Sequence, residues 1–211
     1  MKLYGVVGAG GFGREVMPLA RRQISPEHEV VFVEADDDER RVINGYRVLH
    51  MKEFLAFRGE LYYNVAISNS RIRQRIVQSF PDGSALPFSI SGSPHVCLDQ
   101  NDIGEGAILC SFTHVTSNAR IGRFFHGSIY SYVAHDCVIG DFVTFAPRVS
   151  CNGAVTIQDH AYIGAGAVIK QGTKDKPITI GRGAVVGMGA VVTRSVAPGT
   201  TAFGNPARER N

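Results

Sequence analysis

A chain of 211 residues with 24 glycines, no tryptophan and a net charge of only +3 suits two modest folded parts better than one broad aromatic core. Lys and Arg form no dense tract interleaved with aromatics, which argues against nucleic acid, and no segment is long and apolar enough to span a bilayer as a helix. The amino terminus, Met1-Lys2-Leu3-Tyr4-Gly5-Val6-Val7, lacks the layout of a cleavable signal, so a cytoplasmic location is expected.

In chain order, residues 4–7 read as a strand, Gly8-Ala9-Gly10-Gly11-Phe12-Gly13 as a turn, residues 14–23 as a helix and residues 29–34 as the next strand. This is one βαβ unit. Gly8, Gly10 and Gly13 satisfy G-x-G-x-x-G, in which glycines let the backbone approach a diphosphate and the helix-start amides supply donors. Glu34 and Asp36 stand about twenty residues on, where an acidic side chain reaches a ribose hydroxyl or a base edge. A tight turn without a ligand is the competing reading. After a strand-like 61–67 and a helix-like 69–80, the pattern ends by about Pro94, leaving room for half a dinucleotide fold. That half suits a mononucleotide, such as a nucleoside diphosphate carrying a sugar, better than the NAD of a dinucleotide oxidoreductase.

From Ile103 to Ile169 a small or apolar residue recurs at every sixth position, through Leu109, Val115, Ile121, Gly127, Val133, Ile139, Phe145, Cys151, Ile157 and Ile163. Four residues after each comes a second series, from Ala107 to Thr173, in which only Phe125 is bulky. A period of six fits neither an amphipathic helix nor an ordinary strand, whereas stacked β-helix coils impose it. A sandwich with evenly spaced turns is the rival, but sandwich turns vary in length. After Lys174 the phase slips by five residues and resumes at Ile180, which predicts a loop extruded from one corner. Gly104, Gly122, Gly140, Gly164, Gly181 and Gly187 each follow the inward residue, and are expected to supply corner conformations that cost glycine little. Cys97, Cys110, Cys137 and Cys151 contain no close pair. Cys97, Cys137 and Cys151 fall on inward phases, so packing as small hydrophobes is favoured over a disulfide or zinc set.

The hexads, running over roughly 95–208 and closing on Gly204-Asn205-Pro206-Ala207-Arg208, resemble those of the hexapeptide-repeat acyltransferases. Joined to the Gly-Ala-Gly-Gly fold, they look like the sialic-acid O-acetyltransferase-like branch, and most of all its bacterial nucleotide-aminosugar N-acetyltransferases. The resemblance implies an α/β half-Rossmann βαβ domain over 1–92, binding the nucleotide sugar, and an all-β left-handed parallel β-helix over 93–211, carrying the acyltransferase site. It also implies a homotrimer, acetyl-CoA held between neighbouring subunits, no metal, and acetyl transfer to the amino group of a nucleotide-linked aminosugar for surface-glycan biosynthesis. Gly10, Gly11, Phe12 and Gly13 match the phosphate loop. Glu34 stands for the first Asp of the family's Asp-Asp pair, Ala35 replaces the second with Asp36 as a substitute, and Ser68-Asn69 departs from Gly-Asn or Gly-Asp. Two alternatives stay open: a sugar O-acetyltransferase acting on a hydroxyl, and a non-catalytic β-helix scaffold.

Attack of an amine on a thioester needs a base, and imidazole has a pKa near working pH. His114, His126 and His160 are scattered in phase, which argues against the His triad of a metal-dependent anhydrase, while His135 stands immediately before Asp136. The segment from His135 to Asp141 resembles the branch's catalytic segment, making His135 the expected base and Asp136 its orienting partner. Gly153, one coil of eighteen residues later, is expected to offer a backbone amide to the developing oxyanion. Ala165 and Met188 are placed along the pantetheine groove, Thr144 where some relatives carry a second histidine, and Arg208 near the coenzyme's phosphates.

Overall fold

The β-branched and aromatic run at the amino terminus forms a central strand, β1 (Lys2–Val7), which is followed by α1 (Gly11–Gln23) and β2 (Glu29–Glu34). The protein is described here from a computed structural model, over residues 1–35 and 39–210. It divides into two compact units, Met1–Ser91 and Gly92–Asn211. The first continues through β3 (Val42–Ile43), β4 (Tyr46–His50), α2 (Met51–Leu55), β5 (Glu60–Val65), α3 (Ser70–Ser79) and β6 (Leu86–Pro87). Strand order is β3-β4-β2-β1-β5-β6. All neighbours run parallel except the β3–β4 hairpin, turned by Asn44 and Gly45 with φ of 50° and 83°. Val31, Phe32, Val33 and Val65 are fully buried, as expected of a parallel sheet covered on both faces. Gly13, Val16, Met17 and Ala20 form the buried stripe of α1.

Two differences from the sequence expectation matter for the site. Helix α1 begins at Gly11 rather than Arg14, so Gly11, Phe12 and Gly13 are its first turn rather than a preceding loop. The segment β4–α2, which carries no strong period, adds a parallel strand beside β2. The sheet order reverses between β1 and β5, and in such sheets ligands bind outside the carboxyl ends of the strands at that point.

In the second unit, short strands recur every six residues, and up to the phase slip each pairs in parallel with the strand eighteen residues further on. Leu109 lies opposite Gly127, Gly127 opposite Phe145 and Phe145 opposite Ile163. Three sheets therefore run along the stack and face one interior, where Phe145, Val149, Ile163 and Ile169 are fully buried. The inward glycine, Gly127, makes room for the one bulky residue of the second series: a Cβ there would come within 3.1 Å of the Phe125 ring. Beyond the slip, Ile157 pairs with Ile180, so the extra five residues leave the register intact and form a loop.

The corners overturn one expectation. Positive φ falls on the third residue after most inward positions, including Phe124 (51°), Asp136 (59°), Phe142 (58°) and His160 (62°), not on the glycines that follow the inward residue. Those glycines are needed for space instead. A Cβ on Gly140 would lie 2.7 Å from the Asp159 amide nitrogen, and one on Gly164 would lie 2.6 Å from that of Met188, because the next coil's backbone passes directly over them. The cysteines need a correction too: Cys97, although on an inward phase, is exposed, while Cys110, Cys137 and Cys151 are buried. Cys97 belongs to the last strand of its sheet, with no further coil beyond it.

Candidate active site

His135 and Asp136 occupy the corner between the strands Tyr132–Val133 and Val138–Ile139. The left-handed φ of Asp136, 59°, turns its carboxylate back on its neighbour, and Oδ2 lies 2.7 Å from His135 Nδ1. An ionised carboxylate only accepts, so Nδ1 carries the hydrogen and Nε2 keeps a lone pair free to take a proton. Both side chains are more than half exposed. One coil further, Gly153 lies under the imidazole: a Cβ there would come within 2.5 Å of His135 Cε1 and 2.6 Å of Nε2. The coils are tied here by Ala154 N–H donating to the His135 carbonyl (2.9 Å) and Gly172 N–H donating to that of Gly153 (2.9 Å). Among the described residues the Gly153 N–H has no acceptor, which leaves a backbone donor beside the ring.

An open pocket of about 580 Å³ adjoins the pair, walled by Arg120 and Thr156 from the neighbouring sheet and by Lys174 and Pro177 of the extruded loop. These four were not anticipated. The eighteen-residue register that links His135 to Gly153 also links Arg120 to Val138 and Thr156, and the phase slip marks the loop, so a signal for them existed.

Adjacency to an acid does not by itself single out His135, because Asp159 precedes His160. There the geometry differs. His160 is buried and stacked on Phe142, with ring centroids 5.4 Å apart, while Asp159 accepts from the Asp141 amide (3.0 Å) and pairs with Arg182 (2.9 Å). His126 is likewise buried, and His114 is exposed without a carboxylate partner among the described residues.

The expected coenzyme residues are not gathered within one chain. Ala165 lies twelve residues past Gly153, two thirds of a coil, and so falls on a different corner, where its carbonyl accepts from Gly189 (2.8 Å) and Met188 stands 81% exposed. Thr144 is buried in a strand between His126 and Tyr162. Arg208 opens the antiparallel strand Arg208–Arg210 at the end of the stack.

In the first unit the glycines divide their work. Gly8 adopts φ of 97°, and a Cβ there would meet Ile67 at 2.7 Å. A Cβ on Gly13 would run into the carbonyl of Gly8, so the third glycine lets α1 pack against β1. Around Gly10 and Gly11 a Cβ would meet nothing within 4 Å. The N-cap Gly10 offers α1 no side-chain cap, which leaves the Gly11 amide at the helix start open to an anion. Phe12, on the same turn, is half-buried. The remaining loop residue is clamped from both sides: Ala9 N–H donates to Glu34 Oε1 (2.5 Å) and Arg14 Nη1 donates to the Ala9 carbonyl (3.1 Å). Glu34, expected to reach a ribose or base edge, is thus turned onto the loop. Asp36 lies outside the described residues. Asn69 caps α3, its Oδ1 accepting from Arg71 and Ile72 at 3.1 Å each. Arg73, which sequence reasoning missed, is fully buried and donates to the Ile67 carbonyl (2.7 Å), holding the segment that packs on Gly8. Burial pushes its guanidinium down to about 9, still protonated near neutral pH.

Among the described residues no group of three or more His, Cys, Asp or Glu side chains is placed to hold a metal ion, and no helix is long and apolar enough to cross a membrane.

Residues 5–80 match the family model of the PglD N-terminal domain. Over 99% of this chain and 96% of the relative, the sequence is 51% identical to GDP-perosamine N-acetyltransferase of Escherichia coli O157:H7. Among solved structures, WeeI from Acinetobacter baumannii AYE is 50% identical with a TM-score of 0.94, covering 100% of both chains. The acetyltransferase domain of PglB from Neisseria gonorrhoeae FA1090, in complex with acetyl coenzyme A, is 27% identical with a TM-score of 0.87 over 99% of this chain and 98% of that one. The likeness thus runs through both units, the Rossmann-like sheet and the left-handed β-helix. Identity of that depth along the whole length makes the assignment plain: the chain belongs to the hexapeptide-repeat N-acetyltransferases of nucleotide-linked aminosugars, the family of the GDP-perosamine enzyme.

Proposed function

We propose that this protein transfers the acetyl group of acetyl-CoA to the amino group of a GDP-linked aminosugar of the perosamine kind, with His135 as general base. The 51% identical relative is named for that substrate, and the PglB complex contains acetyl coenzyme A. The observation that carries the mechanism is the 2.7 Å contact between His135 Nδ1 and Asp136, which leaves Nε2 as a proton acceptor in an open pocket. The sugar nitrogen attacks the thioester carbonyl carbon, a C–N bond forms and the nitrogen's proton passes to Nε2. Asp136 stabilises the resulting imidazolium, and the Gly153 N–H donates to the oxyanion. Collapse of the tetrahedral intermediate breaks the C–S bond, and the imidazolium proton goes to the departing thiolate.

On this reading the open amides of Gly10 and Gly11 at the start of α1 hold the nucleotide's phosphates, with Gly8, Phe12 and Gly13 shaping the turn. Glu34 contributes by bracing that turn. Ala165 and Met188 lie on a corner remote from His135 in the same chain, which favours a homotrimer whose neighbouring copy supplies that corner, with Thr144 and Arg208, to the coenzyme groove. Because acetyl-CoA and nucleotide sugars are cytoplasmic metabolites, the reading carries a cytoplasmic location and a place in bacterial surface-glycan biosynthesis.

The test is thiol release from acetyl-CoA across a panel of nucleotide-linked aminosugars. Turnover should be highest with a GDP-linked acceptor. Release only with free sugars acetylated on a hydroxyl overturns the reading. Light scattering at micromolar concentration should report a trimer, and a stable monomer contradicts the shared groove.

A further inference from the structure

We infer that the pocket beside His135 is polarised along the helix axis, with Arg120 anchoring the acceptor's sugar-diphosphate end and Lys174 anchoring the coenzyme arm. The inference rests on the proposed acetyl transfer. Two observations carry it.

The first is that these two cations line the pocket without partners. Neither the Arg120 guanidinium nor the Lys174 ammonium has a hydrogen bond or an ion pair among the described residues. Two other cations of the β-helix, by contrast, are engaged: Arg123 lies within 4 Å of both Glu105 and Asp141, and Arg182 pairs with Asp159 at 2.9 Å. Among the described residues, the only carboxylate in the pocket wall is that of Asp136, which faces His135. A cavity lined by two free cations suits anionic ligands, and both substrates carry a diphosphate.

The second is the order of these residues along the stack. Arg120 pairs with Val138, on the coil of His135, and Val138 pairs with Thr156, on the coil of Gly153. Lys174 follows one coil beyond, where Gly172 N–H donates to Gly153 O. Coils are spaced like paired strands, about 4.8 Å apart, so His135 has Arg120 one coil to one side and Lys174 two coils to the other. The Gly153 amide, which takes the thioester oxygen, lies on the Lys174 side. The coenzyme arm behind the thioester therefore extends towards Lys174, and the amine reaches the carbonyl from the Arg120 side. Chemistry agrees with this division, since a guanidinium fork suits paired phosphate or sugar oxygens and an ammonium on a flexible stem suits the single carbonyl and phosphate oxygens of the arm. The turn that carries Lys174 is fixed: Thr173 N–H donates to Lys176 O (3.0 Å), and Lys176 N–H donates to Thr173 O and Oγ1 (3.1 Å each). A coil without the five-residue slip would have no such residue.

The experiment measures KM for both substrates by thiol release in the full-length enzyme, wild type, Arg120→Met and Lys174→Met, with calorimetric binding of CoA alone. Both side chains are exposed, and unchanged melting will confirm that the variants fold. Arg120→Met should raise the acceptor's KM roughly ten-fold, the scale of one lost charged hydrogen bond, and spare KM for acetyl-CoA. Lys174→Met should do the reverse and weaken CoA binding to a similar degree, with Lys174→Arg recovering most of it. The exchanged pattern, equal weakening of both substrates by either variant, or no change in either overturns the inference. If the wild type releases no thiol with any nucleotide aminosugar, the functional reading fails instead, and CoA calorimetry still reads the Lys174 arm independently.

Discussion

Glycine serves the two units in opposite ways. In the first unit, four glycines within six residues do three different jobs: Gly8 turns the chain at positive φ, Gly10 and Gly11 keep space open, and Gly13 admits the helix to the sheet. In the β-helix, the glycines after the inward residue recur at one place in the coil and share one job, which is to let the next coil's backbone pass over. A unique loop must be understood glycine by glycine. A repeat states the same requirement many times and averages away its exceptions.

The comparison can be broken by substitutions that separate folding from binding. The largest effect is expected at Gly13, where even a methyl group meets the Gly8 carbonyl: Gly13→Ala should destabilise the first unit by about 3 kcal/mol, seen as early loss of hydrogen-exchange protection there while the β-helix amides stay protected. Equal loss in both units would contradict independent packing. Next comes Gly153→Ala, whose methyl group occupies space within 2.5 Å of the His135 ring. Displacing the ring by about 1 Å should lower kcat on the order of a hundred-fold, and normal kcat would mean that the ring's place on Gly153 is immaterial. Gly11→Val has open space, so melting should hold, whereas KM for the nucleotide sugar should rise roughly ten-fold as the side chain obstructs phosphate approach. Matching weakening of the coenzyme would count against separate binding units. The smallest change is Asp136→Asn. Asn tolerates the left-handed φ and keeps the corner, so only the charge facing His135 is lost and kcat should fall several-fold; a loss as deep as removal of His135 would make Asp136 more than an orienting partner.

Legibility in the sequence followed the same division. Hexad phase reports inside against outside, and its eighteen-residue multiple placed Gly153 on the coil beside His135. Phase does not report which corner a residue occupies, so Ala165 and Met188, two thirds of a coil away, were aligned with His135 although they lie elsewhere on the chain. Positive φ keeps one phase, falling on Asp136 in one corner and on His160 in the other, but phase does not report where the acid beside each histidine reaches: the Asp136 carboxylate meets His135, whereas Asp159 accepts from the Asp141 amide of the neighbouring coil. Cys97 kept the inward phase but lost burial because its sheet ends there. In the first unit the strand, glycine turn and helix were readable, while the clamp of Glu34 and Arg14 on Ala9 was not, because it depends on side-chain reach across the fold rather than on spacing.

The central claim, that His135 accepts the amine's proton, is tested most directly by single-turnover and steady-state thiol release from acetyl-CoA in His135→Ala, with a GDP-linked aminosugar as acceptor. The account predicts a fall in kcat of roughly two to four orders of magnitude, the range for a positioned base, with CoA affinity and oligomeric state unchanged. Near-normal turnover in His135→Ala, with loss in His114→Ala, His126→Ala or His160→Ala instead, would contradict it.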